Sequence, residues 1–271
     1  MNPNEIFTYP VDNKTENAIK SVKEYYCRFL NRKCDKQSRT IDYPMGVCSV
    51  NYSGTKVIIC PHRFLEYNLV FKNVCEIAFG GLDNVLLFSE VKLSNVGSFD
   101  FILVKHKPIS SEIDDFCIVE FQSDSTTATG KLVQALRDFM KGINILKNRY
   151  RFGMNTYNTI KLSYIQMLIK GQVIEKWDKK IFWVMQKFVF DNMVNRFQLK
   201  DLNYKQDNNI QYHIYCLKKY EGIHKLELIE KKSTTISNLL KAFTDQPSPS
   251  LDEFIQVLES KIKLKLGLVL E

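Results

Sequence analysis

The chain has 271 residues, with 45% hydrophobic and 25% charged side chains, a balance that excludes global disorder and supports a sizeable core. Its formal net charge of +8 favours a polyanionic partner, because basic groups that neutralise phosphates release counterions, although the abundance of Asn, Ile and Lys also fits a general compositional bias. No apolar run approaches the ~18 residues of a membrane crossing, and the N-terminal MNPNEIFTYPVDNK lacks the basic-then-apolar pattern of a signal peptide, so a soluble intracellular protein that does not engage a membrane is expected.

Ile19, Val22, Tyr26 and Phe29 share one side of a predicted helix over 15–31. Residues 32–63 differ: turn signals separate the strand-like pieces GVCSVN and KVIIC, and a Cys-Pro step follows. Cys27, Cys34, Cys48 and Cys60 fall in or beside this loop-rich unit at separations of 7, 14 and 12. Seven cysteines is an odd number, and an intracellular chain disfavours disulfides. Four thiolates can close a tetrahedral site for Zn²⁺ or Fe, and buried free thiols fit the same spacing, so both readings stand. Cys75, Cys117 and Cys216 have apolar neighbours and read as small hydrophobes. The stretch RFLEYNLVFKNVCEIAFG predicts a helix that stops at Gly80-Gly81.

A strand series follows, NVLLFSEVKL, SFDFILVK and DFCIVEFQ, with one acidic residue inside each run: Glu90, Asp100 and Glu120. A buried carboxylate is costly unless it is paired, protonated or bound to a cation. One such residue reads most simply as half of a salt bridge. Three in successive strands can instead converge on one divalent cation. Gln122 shares a face with Glu120, since strand side chains repeat every two residues. It can orient a water molecule but supplies no charge. Beyond the series, a helix is predicted from about Ala128 to Asn144, and a second, nearly apolar all round and therefore buried, over 156–176. KKIFWVMQ reads as a strand, YHIYCLKKY and HKLELIEKK as a hairpin, and two final helices lie near 233–243 and from Leu251. The order predicts a mixed α/β domain with an insertion near its start.

MGVCSVN followed by VIICPHRFL resembles the metal-binding region of the NotI family of type II restriction endonucleases. FSEVKL, SFDFIL and VEFQSD resemble that family's catalytic block in the same order, so that the likeness runs over roughly 27–140 and more loosely over 156–190. The resemblance implies a PD-(D/E)xK nuclease core, a mixed β-sheet flanked by helices, carrying a small N-terminal metal-binding subdomain with four cysteine ligands. The expected division is 1–64 for the helix and metal-binding unit and 65–271 for the nuclease domain, in one compact body. Glu90, Asp100, Glu120 and Gln122 fall on the family's active-site motif, with Mg²⁺ on Asp100 and Glu120. Cys27, Cys34, Cys48 and Cys60 fall on the ligands of a structural iron or zinc ion. The implied function is sequence-specific, Mg²⁺-dependent hydrolysis of double-stranded DNA by a homodimer on a palindrome, in a prokaryotic cytoplasm and alongside a companion methyltransferase. Arg28, Arg32 and Arg39, in the cysteine segment, and Lys147, Arg149 and Arg151 are the candidates for DNA contact. His62 reads as structural. Two alternatives keep part of this reading: a non-specific repair or defence nuclease with the same core, and a metal-stabilised DNA-binding protein whose carboxylates are structural.

Overall fold

The computed structural model describes residues 1–264 and Gly267. Its first unit is a four-stranded antiparallel sheet in the order β2-β1-β5-β6, built from β1 (Asn2–Ile6), β2 (Tyr9–Pro10), β5 (Val47–Tyr52) and β6 (Thr55–Ile58). The opening strands β1 and β2 have no counterpart in the sequence reading. Between them and β5 lie α1 (Glu16–Glu24) and the small hairpin of β3 (Tyr26–Cys27) and β4 (Arg32–Lys33). Helix α1 starts where the Thr15 side chain accepts the Ala18 N–H. It ends at Tyr25 in the left-handed conformation, φ +55°, so the helix expected over 15–31 stops early and its last residues turn into the hairpin. A 3-10 stretch, Pro61–Asn68, leads into α2 (Leu69–Phe79), which Gly80 closes at φ +74°.

The second unit is a six-stranded mixed sheet, β14-β13-β12-β9-β8-β7. Its strands are β7 (Val85–Leu93), β8 (Gly97–His106), β9 (Ile113–Gln122), β12 (Lys180–Gln186), β13 (Ile210–Tyr220) and β14 (Ile223–Thr234). β9, β12 and β13 run parallel, while the outer pairs are antiparallel. Parallel neighbours need long crossovers. The β9-to-β12 crossover contains the two-strand ribbon of β10 (Thr126–Thr127) and β11 (Gly153–Met154), with α3 (Thr129–Met140) and α4 (Thr156–Lys176). The β12-to-β13 crossover contains α5 (Lys187–Phe197), a helix the sequence reading missed. α6 (Ile236–Thr244) and α7 (Leu251–Lys263) end the chain.

Period-two alternation on β12 sends Ile181, Trp183 and Met185 toward α4, α5 and α6, and Phe182 and Val184 toward α2. Cys75 and Cys117 pack in the α2-side core as small hydrophobes. A third core joins the N-terminal sheet to Leu132, Val133 and Leu136 of α3, so the segments 1–59 and 132–152 share one interior. α4 is not buried all round as expected: Leu162, Ile165 and Ile169 are exposed on its outer face. Among the described residues, no helix is long and apolar enough to cross a membrane.

His213 of β13 is fully buried against Phe182, and neither ring nitrogen has a hydrogen-bond partner. Burial, helped by Lys231 across the ladder, pushes its imidazole down to about 4. The unfolded chain therefore takes up a proton near the ordinary histidine range that the folded chain refuses until about pH 4. Stability is full above the unfolded value and falls as pH drops through this window, by up to about 3 kcal/mol. In urea titrations at pH 7 and pH 5, His213→Leu should remove most of this acid sensitivity. An unchanged difference between the two pH values would show that other groups carry it.

Candidate active site

The site forms where β8 and β9 separate. Phe101 pairs with Val119 as the last ladder pair, and the same register sets Asp100 opposite Glu120. There the Asp100 carboxylate accepts the Phe121 N–H at 2.9 Å. On the other side of β8, the pairs Ser89–Phe101 and Val91–Phe99 bracket Glu90 opposite Asp100. β12 pairs Trp183 with Glu120. Glu90, Asp100 and Glu120 thus lie in one row across three adjacent strands, so the structure brings together the three acidic residues singled out in the sequence.

Their environments differ from the expectation of three buried carboxylates. Glu120 is 4% exposed, Asp100 is half-buried, and Glu90 is exposed because β7 is the edge of the sheet. Glu90 breaks the ladder in the left-handed conformation, φ +54°, a conformation that costs a non-glycine residue about 1–2 kcal/mol. Gln122 closes β9 half-buried, and its amide donates to the Ser123 carbonyl at 2.8 Å.

The cation of the site comes from α4. Lys170 is 4% exposed, and its Nζ lies 2.7 Å from Glu120 Oε1 while donating to the Ser98 carbonyl at 2.8 Å. It also lies over the rings of Phe99 and Trp183. At 2.7 Å the ammonium is the charge partner of the buried Glu120 Oε1. Burial, with the Asp100 charge added, pushes Glu120 up to about 7 against the pull of Lys170. Burial also raises Asp100, with the Phe121 N–H and Lys170 opposing and Glu90 adding to the rise. Two carboxyl groups whose burial raises their affinity for positive charge fit a hard divalent cation.

Cys27, Cys34, Cys48 and Cys60 are all buried and free. Burial raises the thiols of Cys27, Cys48 and Cys60, and each feels the charge of others in the set: Cys27 that of Cys34 and Cys60, Cys48 that of Cys60 and Cys27, and Cys60 that of Cys34. The Cys48 thiol donates to the Gly46 carbonyl at 3.6 Å. Four buried thiols that feel one another's charge are of the chemistry that suits a thiophilic metal. As the side chains stand, no set of three or more His, Cys, Asp or Glu among the described residues is arranged to hold a metal ion. His62 lies 3.4 Å from Asp35, outside the thiol set.

A cleft of about 790 Å³ runs between the cysteine segment and the six-stranded sheet, lined by Lys36, Arg39 and Thr40 on one wall and Gln122, Asp124 and Gln166 on the other. Arg39 therefore shares this cleft with Gln122, and Arg32 is exposed beside Asp35. Lys147 and Arg149 line a separate hollow with Asn51 and Lys219, and Arg151 is exposed. The Arg28 guanidinium lies over Tyr9 and Phe29 and pairs with Glu66 at 3.4 Å, so its charge is largely engaged within the chain.

Two site residues escaped the sequence reading. Asp124 is 2% exposed and accepts from the Ser125 N–H and the Thr156 hydroxyl. Lys170 left a legible signal, since Ser163, Met167, Lys170 and Ile174 recur at helical spacing on the buried stripe of α4. A family model described as restriction endonuclease NotI matches residues 15–228. No curated protein matches the chain.

The strain at position 90 is measurable. Glu90→Gly should unfold at a higher urea concentration than Glu90→Ala, by the equivalent of about 1 kcal/mol, because glycine alone relieves the left-handed backbone. Equal midpoints would mean that the strand relaxes out of this conformation at little cost.

Proposed function

The chain belongs to the NotI family of type II restriction endonucleases, and from that premise we propose that it cleaves double-stranded DNA at a specific sequence, with Mg²⁺, on a PD-(D/E)xK nuclease core. The observation that carries this reading is the row Glu90–Asp100–Glu120 at the parting of two strands, with the buried Glu120 carboxylate 2.7 Å from the Lys170 ammonium. Asp100 and Glu120 would hold the cation, and Glu90 would complete the site. When bound, Mg²⁺ supplies Lewis-acid polarisation of the scissile phosphate and acidifies a water molecule.

The remaining work belongs to side chains. Gln122 reorients its amide from Ser123 to align the attacking water. The water oxygen bonds to phosphorus and gives up a proton to solvent, the bond to one ester oxygen breaks, and that oxygen leaves with the electron pair and takes up a proton from solvent. Asp100 stays braced by the Phe121 N–H throughout. Burial of Glu120 keeps bulk water from competing for its oxygens.

Cys27, Cys34, Cys48 and Cys60 would hold iron or zinc and stiffen residues 1–64 as a subdomain docked on the nuclease domain, 65–271. Arg39 faces the duplex from the cleft wall, with Arg32, Lys147, Arg149 and Arg151 as further phosphate or base contacts. Cutting both strands of a palindrome takes two active sites on a two-fold axis, hence a homodimer. A methyltransferase acting on the same site would protect the host DNA, and both would work in the prokaryotic cytoplasm.

Digestion of a long unmethylated DNA with Mg²⁺, followed by sequencing of the fragment ends, tests the reading. Discrete ends that disappear in Glu120→Ala are expected. A smear would leave a non-specific nuclease, and uncut DNA that the protein demonstrably binds would leave a binding protein. Metal analysis of the purified chain should also find iron or zinc, and chelation should lower the melting temperature. An unchanged melt in metal-free protein would return the four cysteines to the buried-thiol reading.

A further inference from the structure

We propose that Lys170 of α4 is the catalytic cation of this active site, delivered from a helix because the strand position that could carry one holds Gln122. This inference deepens the endonuclease reading and rests on it.

Several observations converge on Lys170. It is almost wholly buried, 4% exposed, on a helix whose other buried residues are apolar or small. A buried ammonium is costly unless its geometry is fixed by partners. Here Ser98 O fixes it at 2.8 Å, the rings of Phe99 and Trp183 flank it, and Glu120 receives it at 2.7 Å. Ser98 and Phe99 precede Asp100 on β8, so the ammonium is tied to β8 and β9, the strands that carry Asp100 and Glu120. Asp100 also feels its charge.

The contact with Glu120 is a resting position. The ammonium sits 2.7 Å from Oε1, and a cation taken up by Glu120 would compete for the same oxygen. Displaced from that oxygen yet still tethered by Ser98, the ammonium would meet the phosphate and stabilise the charge that develops on its non-bridging oxygens as the water bonds to phosphorus. Gln122 holds the water, Lys170 holds the charge, and no single residue does both.

A purely structural counter-ion would look the same at rest, so the test separates the two roles. Four proteins are compared: wild type, Lys170→Met, Gln122→Lys, and Gln122→Lys combined with Lys170→Met. Single-turnover cleavage with Mg²⁺ is measured beside binding of the cognate site with Ca²⁺ and binding of Mn²⁺ to the DNA-free protein. Lys170→Met should lose about 10²–10³-fold in cleavage rate, bind the site as wild type does, and bind Mn²⁺ more tightly because nothing competes for Glu120. The double variant should recover at least about tenfold of the loss. Gln122→Lys alone should slow cleavage and weaken Mn²⁺ binding, since it removes the amide that orients the water and sets a second ammonium beside the first. This last arm decides the question even if Lys170→Met fails to fold: a large acceleration would show a site short of a cation and overturn the proposal. Unchanged cleavage in Lys170→Met, or unchanged Mn²⁺ affinity, would do the same. Wild-type protein that binds DNA without ever cutting it would sink the endonuclease reading itself, whereas a cutting wild type with an equally fast Lys170→Met sinks only the role of Lys170.

Discussion

Arg63 has no solvent exposure, and its guanidinium joins three parts of the chain. Nε donates to Glu5 of β1 at 3.3 Å, one terminal nitrogen to Glu66 at 2.9 Å, and the other to the His224 carbonyl of β14 at 2.8 Å. Glu66 in turn accepts the Leu226 N–H, and Phe29 lies under the guanidinium. Burial alone would push Glu5 up, but Arg63, His224 and Ser49 together hold it below its ordinary value. Such a network gains little over an apolar core of the same shape, yet losing one member leaves a buried charge uncompensated, at about 3–5 kcal/mol. Its consequence is positional: the N-terminal sheet and the edge of the nuclease sheet can meet in one way only.

The cleft inherits that geometry. The Gln186 side chain at the end of β12 accepts the Ile58 N–H, and the Ile58 carbonyl accepts the Asp124 N–H just beyond β9. The segment with Cys48 and Cys60 is therefore hydrogen-bonded to the carboxyl ends of the two parallel strands that flank the site. A metal on the four cysteines, as proposed, would stiffen a wall already anchored at its base, and Arg39 would be presented to DNA from a loop fixed at both ends.

Much of this was legible in the sequence. β7, β8 and β9 showed themselves as apolar runs, and α4 was predicted to its observed bounds, because long periodic segments carry strong signals. β1 and β2 stayed hidden because Asn, Pro and Glu are poor strand formers, and here pairing with β5 and burial of Glu5 override propensity. α5 was missed because it follows β12 without a turn signal: Gln186 serves as its N-cap position with no capping side chain. At the site, the acidic row could be read from spacing, but its burial gradient could not. That gradient follows from strand order, with β7 at the edge and β9 inside, which one sequence does not reveal.

The charge balance explains why glutamine at position 122 is compatible with the proposed chemistry. Three carboxylates and one ammonium leave a formal excess of two negative charges along the row, which one divalent cation neutralises. A lysine at 122 would share the face of Glu120 and bring a second ammonium beside the first. The site would then resist a divalent cation by like-charge repulsion as well as by competition for Glu120. With the ammonium anchored on α4 by Ser98 and flanked by two rings, a neutral amide at the strand end preserves affinity for the metal and still orients water. On this argument Gln122 and Lys170 are one feature: the charge moved from the strand to the helix, and the strand kept the hydrogen bond.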